Sequence, residues 1–121
     1  MAGNLLDHKV WVVAGDVKNE TKYAYTIVNA LKASGYTVYG YHPNSQDPEV
    51  YRDFSVLPQT PGVLDLVINS VKGLEVVKAA RAAGIMNVMA QPGARSEEIR
   101  AFCETNGMVY VESCVLVELS R

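Results

Sequence analysis

The sequence predicts an α/β domain built on a mainly parallel sheet, and three observations lead there. An amphipathic helical stretch ends on a single glycine and gives way to an apolar run at Ser34-Gly35-Tyr36, Ala83-Gly84-Ile85 and Asn106-Gly107-Met108. Glycine just past a helix takes the left-handed C-cap conformation without steric cost. The first strand-like run, Lys9-Val10-Trp11-Val12-Val13-Ala14, is almost continuously apolar, which suits a central strand covered on both faces. Repeated alternation of helix and buried strand implies βαβ units. Such sheets bind ligands at the carboxyl ends of their strands, at a topological switch point, so the search for a site narrows to a few loops.

The elements follow in order. After the first strand, Gly15 to Thr21 is a polar loop. A helix is expected from about Lys22 to Ser34, with Tyr23, Ala24, Ile27, Val28 and Leu31 on one stripe and Thr21 as N-cap. Strand two is Tyr36 to Tyr41, stopped by His42-Pro43-Asn44; Tyr36, Tyr39 and Tyr41 read as packing aromatics on one face. Residues 43–62 are irregular and hold four of the five prolines, with a short helix predicted at Pro48 to Asp53. Val63 to Ile68 is strand three, and Asp65 reads as a loop or strand-start residue. Lys72 to Ala83 is a helix burying Val76, Val77 and Ala80. Met86 to Ala90 is strand four, broken by Gln91-Pro92-Gly93. Ser96 caps a helix from about Glu97 to Asn106, whose acidic first turn suits its positive end. Met108 to Val111 is strand five, and Cys114 to Leu119 reads as a last edge strand. With right-handed crossovers and the long connection between strands two and three, the expected order is 3-2-1-4-5 in a sheet of five or six strands.

Composition bounds the function. The 121 residues suit one domain spanning 1–121, with a real core. Hydrophobic residues make up 49%, which excludes a disordered chain, and the net charge of −2 gives a nucleic-acid partner no electrostatic support. No apolar run approaches the ~20 residues of a membrane helix. No basic segment followed by an apolar one opens the chain, and Cys103 and Cys114 have neither metal nor redox spacing, so a cytoplasmic setting and ordinary core cysteines are expected.

The loop after strand one, Ala14-Gly15-Asp16-Val17-Lys18-Asn19-Glu20-Thr21-Lys22-Tyr23, is the main candidate for chemistry. It follows a strand and opens a helix, so backbone N–H groups and the helix dipole can hold a phosphate. Gly15 permits close approach, and Lys22 adds a point charge. The glycine spacing matches neither a dinucleotide fingerprint nor a phosphate-binding P-loop. Strand two ends in Tyr41-His42-Pro43-Asn44, without the acid that bonds the ribose of NAD or the arginine that suits NADP. His42 lies at the same edge, as a ligand contact or a solvated loop residue. No acid, base, nucleophile or metal set stands out, so catalytic and metal-ligating residues are none and an independent enzyme is the least supported class.

The chain resembles the small single-domain CoA-binding proteins, a Rossmann-type, three-layer family related to the CoA-binding domain of succinyl-CoA synthetase. The resemblance is carried by Val12-Val13-Ala14-Gly15 with Lys22-Tyr23, by Gly35-Tyr36-Thr37-Val38-Tyr39 running into His42-Pro43-Asn44, and by Leu64-Asp65-Leu66-Val67. It continues through Gly84 to Ala94 with its Gln91-Pro92-Gly93, and through Gly107-Met108-Val109-Tyr110-Val111 before Cys114. It implies coenzyme A or an acyl-CoA as ligand. Gly15, Asp16, Lys22 and Tyr23 would lie at the pyrophosphate loop, and Pro43 and Asn44 beside the adenosine. Ser70, Val71 and Lys72 would form the opposite lip, and Gln91, Pro92 and Gly93 would line the pantetheine path.

Three departures bear on affinity. Asp16 stands where the family commonly has a small or hydroxyl residue, Lys72 where it often has arginine, and Glu112-Ser113-Cys114 where it often has Asp-Arg-Cys. A carboxylate beside a pyrophosphate is repulsive unless it turns to a sugar hydroxyl or solvent. The alternatives are therefore a binder of another nucleotide, NAD or ADP, in an unusual mode, with Asp16 accepting a ribose hydroxyl, or a protein-interaction module with a degenerate pocket. In the latter, a last edge strand would support a homodimer.

Overall fold

Five parallel strands form one sheet with helices on both faces. The computed structural model describes residues 2–120. The strands are β1 (Val10–Ala14), β2 (Thr37–Tyr41), β3 (Val63–Leu66), β4 (Asn87–Ala90) and β5 (Val109–Glu112). The helices are α1 (Tyr23–Ala33), α2 (Ser70–Ala82), α3 (Glu97–Thr105) and α4 (Val115–Leu119), with 3-10 turns at Ala2–Asp7 and Phe54–Val56. This is the expected α/β class, with parallel pairing at every step. Gly35, Gly84 and Gly107, which end the first three helices, have φ of 91°, 89° and 70°.

Side-chain alternation makes the three layers. Val12, Ala14, Leu64, Leu66 and Val88 point to one face, where Val76, Val77 and Ala80 of α2 and Ile99 and Cys103 of α3 cover them. Trp11, Val13, Val63 and Met89 point to the other, beneath Ala24, Ile27 and Leu31 of α1 and Val115 of α4. A strand buried on both sides must be apolar throughout, and β1 is.

The strand order is β2-β1-β3-β4-β5. Relative to the expected count of 3-2-1-4-5, β3 lies on the far side of β1 from β2 instead of outside β2. The connection explains this. Tyr41, Tyr51 and Phe54 pack on the α2 face, and Tyr41 stacks on Phe54 with ring centroids 3.9 Å apart. The chain thus returns across the face opposite α1, and a right-handed crossover on that face runs in the opposite lateral direction. The switch point therefore falls between β1 and β3.

Other differences have local causes. The segment predicted as a short helix at Pro48 to Asp53 pairs with β2 instead: Tyr51 N–H donates to Gly40 O and Tyr51 O accepts from His42 N–H, both at 2.9 Å. The predicted edge strand at Cys114 to Leu119 is α4, which packs on α1 and the N-terminal 3-10 turn. Its valines favour a strand locally, and burial of Val115 overrides that preference. The support this segment gave to a homodimer through an edge strand goes with it. Lys22, not Thr21, occupies the N-cap of α1. Tyr36 packs edge-on against Trp11 on the α1 face, whereas Tyr39 and Tyr41 lie on the other. Asp65 is a fully buried residue inside β3. Among the described residues no helix is long and apolar enough to cross a membrane.

One glycine seats the loop after β1. A Cβ on Gly40 of β2 would stand 2.7 Å from Cγ2 of Val17, which is buried. Val17 is β-branched and cannot swing aside freely. Gly40→Ala is expected to cost about 1–3 kcal/mol, read as a lower urea midpoint with an unchanged slope.

Candidate functional site at the carboxyl edge

The strand ends hold the loops through bonds that extend the sheet. Gly15 N–H donates to Tyr41 O at 3.0 Å, Val67 N–H to Ala14 O at 2.9 Å and Gln91 N–H to Leu66 O at 3.0 Å. The first residue or so of each loop is thereby tied to the neighbouring strand. Gly15 sits in a tight place, since a Cβ there would lie 3.2 Å from both the Ala24 and Val67 Cβ atoms. Beyond it, Asn19 Oδ1 accepts from Thr21 N–H at 3.0 Å and Thr21 Oγ at 2.7 Å, which turns the chain into α1.

Two lobes open above these ends. The β3-side lobe, of about 490 Å³, is lined by Gly15, Asp16, Lys22, Tyr23, Lys72 and Pro92, with Ala24, His42, Val67, Ile68 and Asn69 completing it. The β2-side lobe, of about 420 Å³, shares Gly15, Asp16 and His42 and adds Asn44 with Val17, Lys18, Asn19, Ser45, Asp47 and Val50. Of the residues expected from sequence, Gly15, Asp16, Lys22, Tyr23, Asn44, Lys72 and Pro92 line the two lobes. Pro43 lies between His42 and Asn44. Ser70 and Val71 form the first turn of α2 beside Lys72, and the Val71 side chain stands 88% exposed. Gly93 takes φ of 91° in the turn after Pro92.

Gln91 is placed differently: it is buried and donates through Nε2 to Asp65 Oδ1 at 2.6 Å. Its side chain thus fastens the start of the Pro92–Gly93 turn to β3. Asp65 Oδ2 has no hydrogen-bond partner among the described residues, and burial pushes the Asp65 carboxyl up to about 8 against the bond from Gln91, which favours ionisation. Sequence reading missed this pair, since nothing in a strand's pattern announces a carboxyl at its centre. It also missed the 45–50 segment and Asn69, which caps α2 by accepting from Lys72 N–H at 3.2 Å.

The charges are unevenly placed. Lys22 at the start of α1 and Lys72 in the first turn of α2 have no side-chain partner among the described residues, and both face the β3-side lobe near helix N-termini. Lys18, in the other lobe, is bound to Glu49, which raises its pKa. Asp16 Oδ1 lies 3.5 Å from His42 Nε2. His42 Nδ1 accepts from Asn44 N–H at 3.0 Å. Ser45 Oγ accepts from Asp47 N–H, and no hydrogen bond joins it to His42. A serine–histidine–aspartate relay is therefore not assembled. Cys103 is buried in the core, and that burial pushes its thiol up to about 11. No group of three or more potential metal ligands occurs among the described residues.

A family model described as a CoA binding domain matches residues 9–120. The chain belongs to the CoA-binding domain family. A conserved hypothetical protein from Pyrococcus furiosus superposes with a TM-score of 0.82 at 35% identity, covering 91% of this chain and 98% of that one. A hypothetical protein from Pyrococcus horikoshii matches with a TM-score of 0.88 at 22% identity over 97% of this chain and 85% of that one. A Thermus thermophilus protein gives 0.82 at 22% identity, covering 99% and 94%. These two show the shared fold. No curated protein matches. In this CoA-binding domain, the cleft at the switch point is where the fold class places a ligand.

The buried carboxyl has a measurable consequence. A folded pKa of about 8 against 3.8 in the unfolded chain means Asp65 is protonated when folded at neutral pH. Its contribution to stability is complete below the unfolded value and is lost as pH rises through the folded one. Urea titrations from about pH 5 to pH 9 are expected to show wild-type stability falling relative to Asp65→Asn by up to ~1.4 kcal/mol per pH unit. Parallel profiles for the two proteins would show that Asp65 does not hold its proton on folding.

Proposed function

We propose that this domain binds coenzyme A or an acyl-CoA at the carboxyl edge of its sheet, without catalysis of its own. The observation that carries the reading is the β3-side lobe, where two unpaired lysines stand at two helix N-termini over a backbone stripped by Gly15. That donor set fits a diphosphate: N–H groups and the helix dipoles supply partial positive charge, and the ammonium groups supply point charges. Membership of the family supports the ligand class. When bound, coenzyme A would supply a thiol as carrier of an acyl group. Lys22 and Lys72 would hold its diphosphate, and Pro92 and Tyr23 would border its less polar arm.

Lysines at helix N-termini are groups that hold an anion, which suits binding. The protein would then hold, present or sense its ligand, in a soluble setting. Isothermal titration with coenzyme A, with ADP and NAD as controls, tests this. Saturable binding is expected. Lys22→Ala and Lys72→Ala should each weaken it by about threefold to tenfold, and raised salt should narrow both effects. No heat at millimolar coenzyme A, acetyl-CoA or 3′-dephospho-coenzyme A would remove the reading, and a clear preference for NAD or ADP over all three would replace it.

A further inference from the structure

In doubly wound nucleotide-binding sheets, an acid at the end of β2 bonds the ribose hydroxyls. Here β2 ends at Tyr41 and continues into His42, so chain order supplies no acid. Geometry supplies one from elsewhere. The bond from Gly15 N–H to Tyr41 O brings the next residue, Asp16, beside His42. His42 Nδ1 accepts from Asn44 N–H at 3.0 Å, and the other ring nitrogen, Nε2, lies 3.5 Å from Asp16 Oδ1. His42, with a side chain 19% exposed, thus lies beside the carboxylate at the end of β2. The other carboxylate oxygen has no partner among the described residues, and the Asp16 side chain is 56% exposed.

The charge pattern points the same way. The β2-side lobe is lined by Asp16 and Asp47, and its one lysine, Lys18, is bound to Glu49. The free lysines, Lys22 and Lys72, lie in the other lobe. Phosphates therefore belong on the β3 side, and uncharged hydroxyls on the β2 side. A phosphate placed on the β2 side would meet two carboxylates and no free cation.

We propose that the Asp16–His42 pair reads the adenosine ribose as an unsubstituted diol, so that the site prefers an ADP-type nucleotide with a free 3′-hydroxyl to its 3′-phosphorylated form. The inference rests on the coenzyme A reading, which sets the diphosphate beside Lys22 and Lys72. It concerns one substituent of that ligand class. Coenzyme A carries a 3′-phosphate; 3′-dephospho-coenzyme A is otherwise identical and presents the diol.

Titration of wild type, Asp16→Ser and His42→Gln with these two ligands decides the matter. Wild type is expected to bind 3′-dephospho-coenzyme A about tenfold more tightly than coenzyme A. Asp16→Ser should abolish most of that ratio by improving coenzyme A and weakening the dephospho form. His42→Gln should reduce it less, since it frees the carboxylate without removing it. Asp16 is on an exposed loop, so thermal melts of the variants should match wild type. Equal affinities, or tighter coenzyme A, in wild type would overturn the ribose assignment and leave the binding function intact. A wild-type preference that persists in Asp16→Ser would also overturn it. Binding of neither ligand would overturn the coenzyme A reading, and the assignment with it.

Discussion

Three backbone hydrogen bonds carry the architecture of the site: Gly15 to Tyr41, Val67 to Ala14 and Gln91 to Leu66. Each continues the parallel ladder past the last strand residue. In a parallel sheet every strand ends on the same side, so these bonds set three loops from distant parts of the chain at one edge. The ladder in turn exists because β1 and β3 are shielded on both faces, with every residue of β3 buried. Loosening the central strands would therefore disturb the loops before any side chain of the cleft was altered.

The cleft inherits its electrical asymmetry from the same arrangement. α1 and α2 start above β1 and β3 but pack on opposite faces of the sheet, and their N-termini converge over the switch point. Their first turns bring Lys22 and Lys72 to one lobe. The return connection after β2 brings Asp47 to the other, and its Glu49 binds Lys18 of that lobe. Asp16 and His42 stand on the shared wall. A ligand spanning both lobes thus meets positive charge at one end and carboxylates at the other. Such a gradient orients a ligand as well as holding it.

Much of this was legible in the sequence, and the unread parts share a cause. The five strands, α1, α2 and α3 follow from periodicity and from glycine punctuation, signals confined to a dozen residues. The loop at Gly15 and the Pro92 turn were identifiable because they follow strands. The side of β1 on which β3 lies was not, because it depends on Tyr41 stacking on Phe54, thirteen positions on in an irregular segment. The helical form of residues 115–119 depends on packing against α1, which no local propensity encodes. The pairing of Asp16 with His42 spans a helix and a strand, so it became visible only with β1 and β2 in register. Asp65 reads as an ordinary polar residue until the sheet closes around it.

That last residue changes how the molecule should be counted. A composition-based charge of −2 treats every carboxyl as ionised at neutral pH. Asp65, pushed up to about 8, keeps its proton in the folded state and gives it up when the chain unfolds. Folding at neutral pH is therefore a proton-consuming reaction, and the native molecule is less negative by about one charge than its own formula states. Its electrophoretic mobility and its heat of folding both carry that proton, the latter in proportion to the ionisation enthalpy of whichever buffer gives it up.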